Sequence, residues 1–283
     1  MEHRTVLITG CSSGIGRATA KSFHENGWTV YATARDTEDI QDLAERGMET
    51  VELDVTKDED VKNAVKAVVE ENGGIGCVVN NAGYGETAAV EDLTVEDLHA
   101  QFEVNTYGPH RLTRAVLPHM REQGDGTVIN MSSVGGRLSQ PGIGAYCASK
   151  FALEALSDAA RAEVRGFGVD IVLVEPGPVN TPFEEKAEES IEDRAVEDGP
   201  YADLYERVAE FNRGITDEEG RDIATEIMGK ITVPPEKVAK TVLEAAEDDD
   251  PKARYKVSVP HRMMAMGRYL PSEVRDRFYN SVM

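Results

Sequence analysis

The sequence predicts an α/β fold in which helices cover both faces of a doubly wound, mostly parallel sheet of about seven strands. Short apolar segments alternate with helical segments over most of the 283 residues, which indicates βαβ units with right-handed crossovers. The strand segments are almost continuously apolar, as in a sheet that is buried on both faces. A glycine-rich turn, TGCSSGIG, joins the first strand to the first helix.

Apolar segments that end in glycine or polar residues define the strands. The predicted strands are 5–10, 28–35, 48–55, 76–83, 126–133, 169–177 and 253–259. Apolar residues at helical spacing define the helices. The predicted helices are 16–27, 36–47, 58–73, 94–123, one that contains Tyr146 and Lys150, and 234–250. We expect Gly27 to end the first helix and Pro118 to bend or end the regular part of the helix over 94–123.

The length and pattern predict one domain over residues 1–283. Residues 184–230 are highly charged and contain no recognisable strand. Because a segment beyond the carboxyl end of a strand can cover a cleft, we expect a substrate-covering helical insertion there. Residues 234–283 are predicted to supply a C-terminal helix, a strand and an extension.

The charge is strongly acidic, with 52 acidic and 30 basic residues and a formal net charge of −22. This balance argues against nucleic acid or an anionic membrane as a partner. The pattern resembles that of cytosolic proteins of salt-loving archaea, in which salt screens repulsion among carboxylates. The sequence has no long apolar stretch and starts directly with an apolar strand, so we expect a cytoplasmic protein without membrane insertion.

The cysteines and histidines do not indicate a metal site or a disulfide framework. Cys11, Cys77 and Cys147 are far apart, and the six histidines are scattered. We therefore expect no metal and assign these residues no catalytic role.

The segment AYCASKFALEAL places Tyr146 four residues before Lys150 at the start of a helix. Residues at this spacing share a helix face. A lysine beside a phenol favours the phenolate and lowers the phenol pKa from its usual value of about 10. The pair could supply a proton donor that works near neutral pH. By itself it equally fits an amphipathic helix whose lysine extends to solvent, so the choice depends on the rest of the chain.

The turn TGCSSGIG predicts a dinucleotide site and thus a Rossmann fold. Gly10, Gly14 and Gly16 permit a tight turn, close approach of the backbone to a pyrophosphate, and packing of the helix on the strand. The start of the helix offers free N–H groups and a positive dipole end.

Five segments together resemble the short-chain dehydrogenase/reductase family. The segments are TGCSSGIG, NNAG (80–83), NMSS (130–133), YCASK (146–150) and PGPVNT (176–181), in the family's order and spacing. Within the family, YATARD, YCASKFALE and the long C-terminal extension resemble the hydroxysteroid and retinol dehydrogenases. The resemblance implies hydride transfer between a nicotinamide and an apolar secondary alcohol or ketone. It also implies a homodimer or homotetramer built through the two long helices.

The resemblance implies four catalytic residues. Tyr146 would be the general acid/base, and Lys150 would lower its pKa and bind the nicotinamide ribose. Ser133 would hold the substrate oxygen, and Asn105 would help to organise a proton relay through Lys150.

The remaining residues of the motifs are expected to bind the cofactor. The resemblance implies that Asp54 contacts adenine, that Asn81, Ala82 and Gly83 line the adenosine side, and that Val179 and Thr181 contact the nicotinamide carboxamide and phosphate. The full predicted set is Gly10, Ser12, Ser13, Gly14, Ile15, Gly16, Arg35, Asp54, Val55, Asn81, Ala82, Gly83, Tyr146, Lys150, Pro176, Gly177, Val179 and Thr181.

The end of the second strand favours NADP(H) over NAD(H), which stays the alternative cofactor. Thr33 stands near the position where NAD-specific proteins place an acid, and Arg35 follows it. Arginine offers several donors to a 2′-phosphate, and the Ser13 hydroxyl can add another. We expect Asp36 to cap the next helix rather than to bind ribose.

Two alternative functions use the same fold. A non-catalytic NADP-sensing regulator could keep the glycine loop while losing the Ser, Tyr or Lys, but this chain keeps all three. A β-ketoacyl-carrier reductase would favour a basic docking patch for its acidic carrier, and the acidic composition offers little sign of one.

Overall fold

The computed structural model describes residues 3–183, 191, 194, 199–216, 232–258, 269–274 and 276–277. Within these residues lie seven strands: β1 (Thr5–Ile8), β2 (Thr29–Ala34), β3 (Glu49–Glu52), β4 (Cys77–Asn80), β5 (Gly126–Met131), β6 (Val169–Glu175) and β7 (Arg254–Lys256). The strands form one sheet in the order β3-β2-β1-β4-β5-β6-β7, and all neighbouring pairs are parallel. The predicted doubly wound fold is confirmed.

Helices connect the strands and cover both faces of the sheet. They are α1 (Gly14–Glu25), α2 (Gln41–Glu45), α3 (Asp58–Asn72), α4 (Val95–Phe102), α5 (Gly108–Gln123), α6 (Gly144–Val164), α7 (Ala202–Thr216) and α8 (Pro235–Glu247). Among the described helices, none combines the length and the apolar character needed to cross a membrane.

The core consists of two layers, one on each face of the sheet. Successive residues of β1 alternate between the layers: Val6 and Ile8 pack with α1 and α8, and Leu7 packs with α3 and α5. Both layers are apolar, which explains why the strands read as continuous hydrophobic segments.

The strand order places a crevice at the carboxyl end of the sheet. From β1 the chain crosses to β2 on one side, and β4 pairs with β1 on the other side. The loops after β1 and β4 therefore diverge, which is where ligands bind in sheets of this kind.

The prediction of one helix over 94–123 is wrong. The chain forms α4, a π-helical turn over Glu103–Tyr107, and then α5, which continues through Pro118 to Gln123. Leu112, Val116 and Met120 of α5 are fully buried. Their packing offsets the hydrogen bond that proline cannot make, so the helix passes through Pro118.

Other predicted boundaries differ by a few residues. The segment 36–47 starts with a 3-10 turn, Thr37–Ile40, before α2, and Asp36 caps it as expected because its carboxylate accepts the Glu38 N–H. Gly27 adopts a φ of 78° two residues after α1 ends. The predicted insertion 184–230 is described only at 191, 194 and 199–216.

Candidate active site

A cleft of about 740 Å³ opens at the carboxyl ends of the central strands. Almost all of the predicted site residues line it. They are Gly10, Ser12, Ser13, Gly14, Ile15, Arg35, Asp54, Val55, Asn81, Ala82, Gly83, Ser133, Tyr146, Lys150, Pro176, Gly177, Val179 and Thr181. The two exceptions, Gly16 and Asn105, are buried next to the residues that form the wall.

The glycine turn is packed so tightly that its glycines have distinct steric roles. A Cβ on Gly16 would lie 2.2 Å from the Gly10 carbonyl oxygen and 2.4 Å from Asn81 Nδ2. Gly14 has a φ of 53°, and a Cβ there would meet the Thr181 side chain at 3.1 Å. Gly16 therefore lets α1 start against the turn, and Gly14 lets the Thr181 side chain pack directly on the turn.

The motif after β4 fastens the glycine turn. The Asn81 side-chain amide donates to the carbonyls of Thr9 and Gly10 at 2.9 and 3.1 Å. The backbone N–H groups of Asn81 and Ala82 both donate to Thr9 Oγ1 at 3.0 Å. Thr9 was not among the predicted residues, because no feature of a lone threonine at a strand end signals this role.

The end of β2 presents an exposed arginine to the cleft. Thr33 is buried, and its hydroxyl donates to the Ile8 carbonyl at 3.1 Å, so the side chain points into the sheet. Arg35 is exposed and lines the cleft. Ser13 is the N-cap residue of α1, and its exposed side chain makes no capping hydrogen bond. Arg35 and Ser13 are thus both available to a ligand.

Asp54 is fixed by its neighbour. Its Oδ1 accepts from the Thr56 N–H at 3.0 Å and from the Thr56 hydroxyl at 2.7 Å. Burial raises the pKa of Asp54, but the Thr56 hydrogen bonds and the charges of Lys57 and Arg35 outweigh it and lower the pKa below its usual value. Asp54 is therefore an ionised acceptor at neutral pH.

Tyr146 lies in the first turn of α6, and two glycines and a phenylalanine enclose its ring. The ring packs edge-to-face on Phe183, with the centroids 5.6 Å apart. A Cβ on Gly135 would lie 3.0 Å from Tyr146 Cε1, and one on Gly85 would lie 2.8 Å from the Phe183 ring. Packing against Phe183 and the two glycines therefore fixes the orientation of the Tyr146 ring.

Lys150 is buried beneath Tyr146. Its Nζ lies 5.8 Å from the Tyr146 ring centroid and donates to the Met131 carbonyl at 2.9 Å. Burial lowers the pKa of Lys150 to about 8, against an opposing effect of the Glu154 carboxylate. The ammonium is therefore close to its titration point near neutral pH.

Ser133 caps a 3-10 turn, Val134–Gly136, and its hydroxyl oxygen accepts the Gly135 N–H at 3.1 Å. Because Gly135 packs on the Tyr146 ring, this turn brings Ser133 and Tyr146 onto one wall of the cleft. The Val134 N–H donates to the Pro176 carbonyl at 2.9 Å, which links the turn to the PGPVNT segment.

Asn105 lies in the π-helical turn Glu103–Tyr107. Its side-chain amide donates to the Tyr84 carbonyl at 2.8 Å and to Ser149 Oγ at 3.2 Å, and its oxygen accepts the Tyr84 N–H at 3.1 Å. A Cβ on Gly83 would lie 3.1 Å from Asn105 Oδ1 and 3.6 Å from Lys150 Nζ. The extra residue of the π turn thus turns Asn105 toward the same point as Lys150.

The segment after β6 forms the far wall. Val179 is buried and pairs with Val233 in an isolated parallel bridge. Thr181 Oγ1 accepts the Phe183 N–H at 3.4 Å. This wall carries both the predicted nicotinamide contacts and the aromatic ring that covers Tyr146.

The cleft fits a dinucleotide in shape and charge. Glycines whose Cβ positions are already filled by neighbours bring the backbone to the cleft surface, and the start of α1 presents its N–H groups there. We call this part, the glycine turn and the start of α1, the dinucleotide half of the cleft. The other part, the catalytic half, offers the Tyr146 phenol, the buried Lys150 ammonium and the Ser133 hydroxyl. Such a set can hold an oxygen and transfer a proton to or from it.

Comparisons with known proteins agree with this geometry. The sequence profile described as short chain dehydrogenase matches residues 4–192. The oxidoreductase YbbO of Escherichia coli K12 is 35% identical over 97% of this chain and 93% of its own length. The NADPH-dependent 3-dehydrocapnine reductase of Ornithobacterium rhinotracheale is 32% identical over 98% of this chain and 96% of its own length.

Two further matches are informative. Retinol dehydrogenase 5 of Homo sapiens is 44% identical over 62% of this chain and 57% of its own length. The crystal structure of a short-chain dehydrogenase from Streptomyces avermitilis superposes with a TM-score of 0.78 at 32% identity, and the match covers 99% of this chain and 96% of that one.

Proposed function

We propose that this chain, which belongs to the short-chain dehydrogenase/reductase family, prefers NADP(H) and interconverts an apolar secondary alcohol and its ketone with Tyr146 as general acid/base. That the chain is an NAD(P)-dependent oxidoreductase follows from its family membership. The observation that carries the finer proposal is that Tyr146 and Ser133 both line the cleft, with the buried Lys150 5.8 Å from the Tyr146 ring centroid.

The proposed roles of the catalytic residues follow from their positions. The Tyr146 hydroxyl gives a proton to the carbonyl oxygen in reduction and takes it back in oxidation. The Ser133 hydroxyl donates a hydrogen bond to the same oxygen and orients it. Lys150 stabilises the phenolate through its charge, and Asn105, which faces Gly83 together with Lys150, orders the proton path behind it.

The cofactor residues are proposed from the same cleft. The glycine turn and the start of α1 would hold the pyrophosphate, Asp54 the adenine, and Val179 and Thr181 the nicotinamide carboxamide and phosphate. Arg35 and Ser13 would hold a 2′-phosphate, and their exposure beside the cleft supports NADP(H). When bound, the cofactor supplies or accepts the hydride.

The substrate side is apolar. Phe183 lies on the Tyr146 ring, and Val134 and Ile143 line the cleft nearby. A hydroxysteroid- or retinol-like substrate suits these side chains because it buries apolar surface on binding and has no charged group that must be desolvated. The similarity to retinol dehydrogenase 5 supports this class.

A substrate panel tests the proposal. We expect NADPH-dependent reduction of a 3-ketosteroid or 2-decanone, and no reduction of pyruvate, whose size and charge do not suit the cleft. Reduction of a β-ketoacyl-carrier substrate alone would replace the proposal with a carrier reductase. NADPH binding without turnover of any of these would favour a non-catalytic regulator.

The helical insertion and the single-domain organisation are also proposals. Tyr205 and Val208 of α7 support the first: the Tyr205 hydroxyl accepts the Ala89 N–H at 3.2 Å and donates to Asp92 Oδ2 at 2.6 Å. A Cβ on Gly142, next to the cleft residue Ile143, would lie 2.8 Å from the Val208 side chain. The helix α7 therefore packs beside the substrate half of the cleft.

We further propose a cytoplasmic homodimer or homotetramer from a salt-loving archaeon, assembled through α5 and α6. Tyr107, directly before α5, and Leu156 on α6 are large exposed side chains that such an interface could cover. Light scattering of the purified chain measures the oligomer, and replacing Leu156 with glutamate is expected to shift it toward monomer.

A further inference from the structure

Behind Tyr146 and Lys150, the structure contains a buried charge cluster of Glu154, Glu175, Arg137 and Arg254. Glu154 is 5% exposed and Glu175 is fully buried. Ionised groups are rarely buried unless they are paired, because their desolvation is costly. The cluster therefore needs an explanation that the proposed function does not give.

The ion pairs of the cluster centre on Glu154. Arg254 donates from Nε and Nη2 to Glu154 Oε2 at 3.0 and 2.9 Å, and Arg137 Nη1 lies 3.5 Å from the same oxygen. Glu175 Oε1 lies 3.1 Å from Arg254 Nε and 3.9 Å from Arg137 Nε. Two carboxylates thus share two guanidiniums.

The cluster joins the two elements that carry Ser133, Tyr146 and Lys150 to the strands β6 and β7. Glu154 follows Lys150 by one turn of α6, and Arg137 follows the turn that Ser133 caps. Glu175 ends β6 directly before Pro176, and Arg254 starts β7. A Cβ on Gly136 would lie 3.1 Å from Glu154 Cγ, so the Ser133 turn packs on this carboxylate.

Within the cluster, Glu154 is the carboxylate that follows Lys150 by one turn of α6. The exposed Asp158 extends the network, because its Oδ2 lies 2.7 Å from Arg254 Nη2 and its Oδ1 lies 2.7 Å from Arg161 Nη1. Three guanidiniums thus face three carboxylates, and Glu154 is the buried one on the helix of Lys150. An anion at this place favours the charged form of a buried lysine.

We infer that Glu154 is a positioning residue that keeps the buried Lys150 ammonium charged, and that Arg137, Glu175 and Arg254 hold it in place. Burial raises the pKa of Glu154 above its usual value, and the neighbouring Glu175 adds to this, while the side chains of Ser132 and Arg254 oppose the rise. The two hydrogen bonds from Arg254 stabilise the ionised form of the carboxylate. This inference rests on the proposed function only for its kinetic consequence.

The charged and titratable groups that face Glu154 and Lys150 come from each neighbouring element. On α6 they are Tyr146, Asp158 and Arg161, on the Ser133 turn Arg137, on β6 Glu175, and on β7 Arg254. Each of these keeps its side chain in Glu154→Gln, and the oxygen of the glutamine amide can still accept a hydrogen bond from Arg254. The variant is therefore expected to fold.

The direct test is the titration of Lys150 in the full chain labelled with ¹³Cε-lysine, with the resonance identified by its absence in Lys150→Met. In Glu154→Gln we expect the midpoint of Lys150 to fall by about one pH unit. Asp158→Asn, which removes an exposed partner of the same Arg254, is the matched control and should shift it by less than about 0.3 unit. Glu154→Asp keeps the charge and should restore most of the wild-type midpoint.

The kinetic readout uses the best ketone of the substrate panel with NADPH. Because removing an anion lowers the pKa values of both Lys150 and Tyr146, the alkaline limb of kcat/KM should move to lower pH in Glu154→Gln. A merely structural role would lower the rate at every pH and leave the limb in place.

An unmoved Lys150 midpoint in folded Glu154→Gln, or an equal shift in Asp158→Asn, overturns the inference. If Glu154→Gln does not fold, the double variant Glu154→Gln/Arg254→Gln removes one charge of each sign, and we expect a smaller shift in the same direction. The proposed function fails if Tyr146→Phe keeps its turnover. In that case the Lys150 titration still tests the role of Glu154, because it does not depend on catalysis.

Discussion

The two halves of the cleft differ in the chemical groups that form them. The dinucleotide half consists of glycines, backbone groups and exposed polar side chains, among them Gly10, Gly16 and Arg35. The catalytic half rests on side chains that are buried and charged or polar, among them Asn105 and Lys150. In the first half, the space around the backbone decides which residues are tolerated. In the second half, the free-energy cost of burying charge decides it.

This difference predicts different responses to substitution. An added methyl group in the dinucleotide half meets backbone atoms that cannot move, so folding and cofactor binding fail together. Removal of a charge in the catalytic half relieves a desolvation cost, so stability and activity move in opposite directions.

The largest effect is expected for Gly16→Ala. Its Cβ would lie 2.2 Å from the Gly10 carbonyl oxygen, so α1 or the turn must shift. We expect a loss of about 3 kcal/mol in the free energy of unfolding and a loss of NADPH binding. Urea unfolding and fluorescence titration measure both. Gly166→Ala is the control, because no atom lies within 4 Å of its added Cβ, and wild-type behaviour in Gly16→Ala would contradict the steric account.

Lys150→Met is expected to stabilise the protein and abolish turnover. Burial lowers the pKa of Lys150 from 10.5 to about 8, a cost of about 3 kcal/mol for the charged form. Loss of the hydrogen bond to the Met131 carbonyl removes about 1 kcal/mol of this gain. We therefore expect a net stabilisation of about 2 kcal/mol at pH 7.

The difference in stability between Lys150→Met and wild type depends on pH, and the sign of this dependence follows from the pKa of Lys150. Between the folded pKa of about 8 and the unfolded value of 10.5, the unfolded chain binds the proton and the folded chain does not. Wild-type stability therefore rises with pH in this window, and the advantage of Lys150→Met shrinks. Lys240→Met, at a largely exposed lysine on α8, should show neither effect. An advantage that grows above pH 8 would contradict the sign.

Arg35→Asp tests the dinucleotide half by charge instead of space. We expect the NADPH/NADH ratio of kcat/KM to fall by about tenfold or more, because a guanidinium beside the cleft is replaced by a carboxylate that suits free ribose hydroxyls. Arg46→Asp, at the end of α2, is the control for the loss of a surface cation. An unchanged ratio would remove Arg35 from the proposed 2′-phosphate site.

The smallest effect concerns the surface and not the cleft. With a formal charge of −22, repulsion among carboxylates should be screened by salt. We expect the melting temperature to rise by several degrees from dilute buffer to about 2 M potassium chloride. The difference in melting temperature between wild type and Lys150→Met should remain at high salt, because salt screens buried charges only weakly. A flat or falling melting temperature would contradict the salt adaptation.

Local signals in the sequence predicted the fold and the cleft-lining residues, while features that depend on distant contacts were not predictable. The strands and the glycine turn carry their signals within a few residues, and the Asp36 cap is equally local. The π turn at Asn105 leaves no mark on hydrophobic spacing, so a single helix was predicted across it.

The buried charge cluster shows the same limit at longer range. Glu154 and Arg254 are 100 residues apart in the chain and meet only because β7 is added at the edge of the sheet next to β6. Along the sequence each reads as an ordinary surface charge. The family resemblance, by contrast, was carried by five short segments, and the comparisons confirm it.

Tyr146→Phe tests the central claim most directly. The ring, its contact with Phe183 and the cofactor half all remain, and only the transferable proton is lost. With NADPH and the best ketone of the panel, we expect kcat/KM to fall by about a thousandfold, while the Kd for NADPH stays within about threefold of wild type. Turnover above about one tenth of wild type across the pH range would contradict the assignment of Tyr146 as the acid/base.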